Sequence, residues 1–160
     1  MIASDLKSTL APARVPHAPD QPMHDASRFP LVRLRRRAVQ SGYAFAWRAE
    51  MQRLLALATP FVIVSEHCAD ETPDDTRLRA AWLRSQQATL SAYCRGFIVI
   101  EPRIEARATT REAWRVVTQG SGVRTVIVSG MRVAGELAPV LLKHSPGEQE
   151  HAPAHRAAPL

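Results

Sequence analysis

At 160 residues, with 46% hydrophobic and 22% charged side chains, the chain has the size and composition of one globular domain with tails, which excludes a wholly disordered or fibrous protein. No segment approaches the roughly 18 consecutive apolar residues of a membrane span, and residues 1–20 lack the apolar core of a signal peptide. A formal net charge of +6 would suit nucleic acid, an anionic membrane or an acidic protein, but Lys7 and Lys143 are the only lysines, and this arginine- and alanine-rich composition fits the codon bias of a GC-rich genome better than a built basic surface.

Residues 1–29 show no hydrophobic period, and Pro12, Pro16, Pro19 and Pro22 forbid a helix there. With few apolar side chains to set against an ordering cost of about 1–2 kcal/mol per residue, this tail is expected to be disordered. Residues 31–39 then read as a strand in which Val32 and Leu34 alternate with Arg33 and Arg35, the pattern of a half-buried or edge strand. A helix should run from near Gly42 to just before Pro60, with Tyr43, Trp47, Met51, Leu54, Leu55 and Ala58 on its apolar side.

The second strand is 61–65. Thr72 as N-cap, Pro73 at the first helical position, and Asp74 and Asp75 at the positive helix end start the second helix. Its apolar arc is Leu78, Trp82, Leu83, Leu90 and Tyr93, into which Arg79 and Gln86 project. A third strand at 97–101 leads to a helix over 104–118, which uses Ala106, Ala113, Trp114 and Val117 and is ended by Gly120-Ser121-Gly122. A fourth strand at 125–129 precedes a last helix at 131–143, which Gly135 and Pro139 should kink or split. Residues 144–160, with four prolines and glycines and His151 and His155, read as a second disordered tail.

The runs 61–64, 97–100 and 126–128 are continuous and mostly β-branched, as in strands covered on both faces. The predicted architecture is therefore a small α/β domain over 30–143, with a mostly parallel sheet of four to five strands and packed helices.

Ligands of open parallel sheets gather beyond the carboxyl ends of the strands. That places Ser65, Glu66 and His67, Glu101 and Arg103, and Ser129 at one end of the domain as candidate ligand- or partner-binding residues. Arg79 joins them, because a guanidinium on an apolar helix side needs a partner, either Glu66, Glu101 or a bound anion. His67-Cys68 is not read as a catalytic pair, since adjacent side chains in extended backbone point apart. The spacing of His151 and His155 is interrupted by Pro153 and carries no metal site, and no cofactor is implied. Cys68 and Cys94 read as reduced thiols of a cytoplasmic protein. Arg33, Arg35, Arg36 and Arg37 form the densest charge run. Without aromatic residues among them for base stacking, nucleic-acid binding through 33–37 is the third choice of function.

With this order of elements the chain resembles the STAS superfamily of anti-sigma-factor-antagonist-like domains, and within it the divergent bacterial STAS/SEC14-like proteins. The likeness runs over 29–143. It is carried by the helix of Trp47 and Leu54-Leu55, the strand Pro60-Phe61-Val62-Ile63-Val64, the helix Arg79-Ala80-Ala81-Trp82-Leu83-Arg84, and the stretch Cys94-Arg95-Gly96-Phe97-Ile98-Val99. The resemblance implies a four- or five-stranded sheet with helices that binds a protein partner or a small hydrophobic or anionic ligand, without catalysis. Phosphorylation-regulated members carry a serine after an aspartate at the start of the helix that follows the central strand. Here that region reads Cys68-Ala69-Asp70-Glu71-Thr72-Pro73-Asp74 and has no serine. Many members have two strands ahead of the first helix, where one is read here. The leading expectation is a non-catalytic regulatory or binding module; the alternative is an accessory factor or enzyme acting on a small anionic metabolite in the same crevice.

Overall fold

In a computed structural model, which describes residues 21–68 and 71–144, five strands lie side by side in simple sequence order. They are β1 (His24–Arg28), β2 (Leu31–Leu34), β3 (Phe61–Glu66), β4 (Cys94–Ile100) and β5 (Thr125–Val128). β1 and β2 pair antiparallel, and β2 through β5 are parallel. Each parallel step needs a crossover. These are α1 (Ala44–Ala56), then α2 (Pro73–Ser85) with α3 (Gln87–Tyr93), then α4 (Arg107–Thr118). Crossovers of one hand that always step in the same direction fall on one face of the sheet. That face, the front, buries Trp47 and Met51 of α1, Trp82 and Leu83 of α2, Leu90 of α3 and Trp114 of α4 against Phe61, Ile63, Phe97 and Val99. The final helix α5 (Met131–Lys143) covers the back, where Ala134, Ala138 and Leu141 meet Val62, Val64, Ile98 and Ile100. The expected α/β class and mostly parallel sheet are present.

Four local expectations are corrected. The stretch 1–29 contains β1, so its last residues are not a disordered tail; residues 1–20 lie outside the described ones. β1 has no apolar alternation, but Met23 and His24 are buried. The Glu50 carboxylate of α1 accepts from Met23 N at 2.9 Å, His24 N at 2.8 Å and His24 Nδ1 at 2.9 Å, a long-range anchor that local composition does not display. β2 ends at Leu34, is followed by a short 3-10 turn (Arg36–Ala38), and is not an edge strand, because β1 covers its outer side. The second helix breaks at Gln86, the polar residue on its apolar arc, into α2 and α3. α5 stays one helix through Gly135 and Pro139.

Asp75 ties the front helices together. Thr72 caps α2 by accepting from Asp75 N at 3.2 Å and donates its own hydroxyl to Asp75 Oδ2 at 2.6 Å, a reciprocal capping arrangement. The same carboxylate accepts from Gly42 N at 2.9 Å and Ala44 N at 3.1 Å, so it also caps α1, which has no side-chain cap of its own. Gly42, at φ +83°, occupies the left-handed region that the turn into α1 requires. Burial raises the Asp75 carboxyl, but the donors from Thr72, Gly42 and Ala44 and the nearby Arg79 charge outweigh it and hold the group below its ordinary value.

Asp75→Ala should therefore destabilise the domain by about 2–4 kcal/mol in urea titration, since it strands donors of two helices. Asp74→Ala, which alters an exposed Arg77 pair, should change stability by less than about 0.5 kcal/mol. The depressed folded value also fixes a sign: Asp75 contributes fully above its unfolded value, about 3.9, and its contribution is lost as pH falls through the lower folded value. Asp75→Asn should flatten that acid limb of the stability profile.

Candidate functional site

The parallel strands bring their carboxyl ends to one end of the sheet, but side-chain alternation splits the expected cluster between two faces. Phe61, Ile63 and Ser65 of β3 face the front helices; Val62, Val64 and Glu66 face the back. A sheet ordered one to five has no reversal of strand order, so it lacks the crevice that such a reversal opens. Its hollows lie instead on either face of the strand ends.

On the back, Glu66 pairs with Arg33 at 3.3 Å and Arg36 at 3.7 Å, all substantially exposed. Arg33, Arg35, Arg36 and Arg37 border an open hollow of about 620 Å³ with Asp25 and Glu66, and among the described residues no aromatic side chain lines it. Arg35 reaches Asp25 at 3.0 Å. A second hollow, of about 590 Å³, runs past His67, Glu101, Arg103 and Met131.

Glu101 is engaged within the fold. Its buried carboxylate accepts from Arg103 N at 3.1 Å, Arg103 Nε at 3.2 Å, Arg103 Nη2 at 3.3 Å and Thr110 Oγ1 at 3.4 Å. The side-chain and backbone hydrogen bonds from Arg103 hold its carboxyl below the usual carboxylate range. Glu101 and Arg103 thus build the turn from β4 into α4, leaving the mostly exposed Arg103 side chain on the rim.

On the front, Ser65 and His67 meet Arg79 around a smaller cavity of about 300 Å³. Neither Glu66 nor Glu101 pairs with Arg79. Its Nη1 donates to Glu71 Oε1 at 2.8 Å, Glu71 Oε2 at 3.0 Å and Tyr43 Oη at 2.9 Å, and Tyr43 donates to Glu71 Oε1 at 2.8 Å. The guanidinium carbon lies 5.0 Å from the ring centroids of both Trp47 and Trp114, a cation held between two aromatic rings. Burial works against this charge, but the Tyr43 and Glu71 oxygens outweigh it, so Arg79 remains protonated. Burial drives the Tyr43 hydroxyl well above its ordinary value, so it stays a neutral donor.

Two buried polar atoms of the cavity-lining residues have no hydrogen-bond partner: Ser65 Oγ and Arg79 Nε. Residue Ser65 is only 3% exposed, and a buried hydroxyl without a partner is uncommon in a folded protein. Leu34, Val39, Val117 and Trp114 give the cavity an apolar wall. Sequence reasoning missed Tyr43 and Glu71 as site residues: Tyr43 reads as ordinary core on its helix, and Glu71 stands ahead of the N-cap, where local spacing assigns it no direction.

Ser129 is exposed at the end of β5 and takes no part in the front cavity. His151 and His155 lie outside the described residues, and His144 Nδ1 meets its own helix at Val140 O, 2.7 Å away. No family model, no curated protein and no solved structure matches the chain. Among the described residues no helix is long and apolar enough to cross a membrane.

Both cysteines are free thiols, Cys68 partly exposed beside the cavity and Cys94 buried, where burial pushes its thiol up to about 12. A disulfide reagent at pH 8 should modify one thiol in the folded protein and the second only on denaturation. Cys68→Ser should remove the fast reaction, because reactivity follows thiolate population and access.

Proposed function

We propose that this chain is a non-catalytic binding module that holds a small ligand in the front cavity at the carboxyl end of β3. The observation that carries this reading is the buried, unpartnered Ser65 hydroxyl on a cavity that also draws in Arg79, Tyr43 and His67. A mostly apolar hollow of about 300 Å³ with a few convergent polar groups has the make-up of a small-molecule site rather than of a flat protein-docking face. Catalysis forms no part of the proposal, which rests on a buried hydroxyl and a buried cation rather than on a nucleophile held by a base.

The five-stranded, mostly parallel sheet with its helices agrees with the STAS resemblance, and a regulatory role for the bound state follows from that likeness. The free thiols support a reducing, cytoplasmic setting.

Ala113, exposed on α4 at the edge of the cavity, gives a direct test. In a thermal-shift screen of small metabolites, at least one compound should raise the melting temperature of the wild type. Ala113→Phe should abolish that shift while melting within about 2 °C of the wild type in the absence of ligand, as expected for an exposed helix position. A screen without stabilising compounds, or shifts that survive Ala113→Phe, would remove the cavity as the binding site.

A further inference from the structure

We infer that the front cavity selects a small monocarboxylate with an apolar body, whose carboxylate takes Arg79 over from Glu71. The inference rests on the cavity being a ligand site and names the chemistry that it recognises.

Glu71 already shows what Arg79 accepts. Both of its carboxylate oxygens contact a single guanidinium nitrogen, Nη1, at 2.8 and 3.0 Å. This is not the two-nitrogen fork that makes arginine–carboxylate pairs strong. Nε, on the other donor edge of the guanidinium, is buried and has no partner. Ser65 Oγ, which can donate one hydrogen bond, is likewise unpartnered on the same cavity. Both atoms are closed to solvent while Glu71 is in place, so it is by displacing Glu71 that an incoming carboxylate would bring acceptor lone pairs to Nε and the Ser65 hydroxyl. Of the pair Glu71 is the more exposed, 16% against 4% for the side chain of Arg79, whose guanidinium lies between Trp47 and Trp114.

The charge fits one negative group and no more. Among the described lining residues Arg79 is the one arginine or lysine, and Glu71 is its counter-charge; Glu66 also borders the cavity, but its carboxylate is turned to the back and paired with Arg33 and Arg36. A monocarboxylate that displaces Glu71 keeps the local charge unchanged, whereas a dianion such as phosphate would leave one negative charge that Arg79 does not balance. An apolar body suits the rest of the ligand, because Leu34, Val39, Trp114 and Val117 give the cavity an apolar wall, beside which His67, Cys68 and Thr76 add polar edges.

Phenylacetate and its neutral isostere phenylacetamide are suitable probes, followed by tryptophan fluorescence and by calorimetry. In the wild type the acid should bind at least about tenfold more tightly than the amide, the discrimination expected when a charge-assisted hydrogen bond is kept or lost. Ser65→Ala should weaken the acid several-fold and leave the amide nearly unchanged. Glu71→Gln, which removes the internal competitor, should tighten the acid by about tenfold and raise the acid-to-amide ratio, although it lowers the stability of the unliganded protein by leaving a buried charge without its partner. Should Glu71→Gln not fold, Glu71→Asp, with its carboxylate drawn back by one methylene, is expected to move the ratio in the same direction.

Equal binding of acid and amide, both lost in Ala113→Phe, would overturn the carboxylate inference while the cavity stays a ligand site. An acid-to-amide ratio that does not rise in the Glu71 variants would overturn displacement of Glu71. No binding of either probe to wild type or variants would also overturn the inference, and the metabolite screen would then decide separately whether the cavity binds anything.

Discussion

The carboxylate of Asp75 accepts hydrogen bonds from two helix starts at once, and the front of the molecule is organised around that shared cap. Gly42 and Ala44 of the α1 start and Thr72 of the α2 start all donate to it. Each helix N-terminus otherwise leaves backbone donors without partners and a partial positive charge. Satisfying both ends with one buried anion fixes α1 against α2 more tightly than apolar packing alone, which is tolerant of sliding. The consequences reach the cavity directly. Tyr43 lies between the two backbone donors, and Arg79 follows Asp75 by one helical turn, so the cap sets the meeting of Tyr43 with Arg79 at 2.9 Å.

Arg79 is costly where it stands. A guanidinium taken from water needs a close counter-charge, and even a well-paired buried ion pair often stabilises no more than an apolar side chain of similar size. The two tryptophan faces and the Glu71–Tyr43 pair hold the charge, but they do not explain its being there, because a leucine in this arc would fill the front core without any of them. One guanidinium nitrogen serves all three polar contacts while Nε has none, which is not the arrangement of a group placed for stability alone. A buried charge with unused donor capacity, beside a cavity, is the feature on which the proposed binding role rests.

Much of the fold was legible because it rests on local signals: the continuous β-branched runs of β3 and β4, the Thr72-Pro73 helix start, and the apolar side of α1. Arg79 was legible as well, since its helical phase puts it on the apolar side whatever the tertiary structure. Its partner was not. Glu66 and Glu101 looked nearest along the strands, yet alternation sends Glu66 to the back face, and the chain reversal at Arg103 engages Glu101. Likewise β1 carries no strand pattern of its own and depends on Glu50, 26 residues away from His24, for its anchoring. Sequence periodicity reports which side of an element is buried; it does not report which buried groups from distant elements meet.

The position of the cavity follows from one residue in a short series. The inward side chains of β3 shrink from Phe61 to Ile63 to Ser65, while the helices that cover them stay at full height on Trp47, Trp82 and Trp114. Protein interiors fill space to crystal-like density, so a leucine or isoleucine at 65 would close the gap between sheet and helices and bury more apolar surface. Serine does the opposite: it fills less of that space and buries a hydroxyl for which the fold supplies no partner. Beside Ser65 the inward residue of β4 is Val99, and one inward step further, just past the strand end, stands Glu101, whose carboxylate does find partners in Arg103 and Thr110. Two polar residues therefore end the inward rows of adjacent central strands. One is consumed in building a turn, and the other stays unsatisfied beside Arg79, which is why the site belongs to β3 and to the front of the sheet.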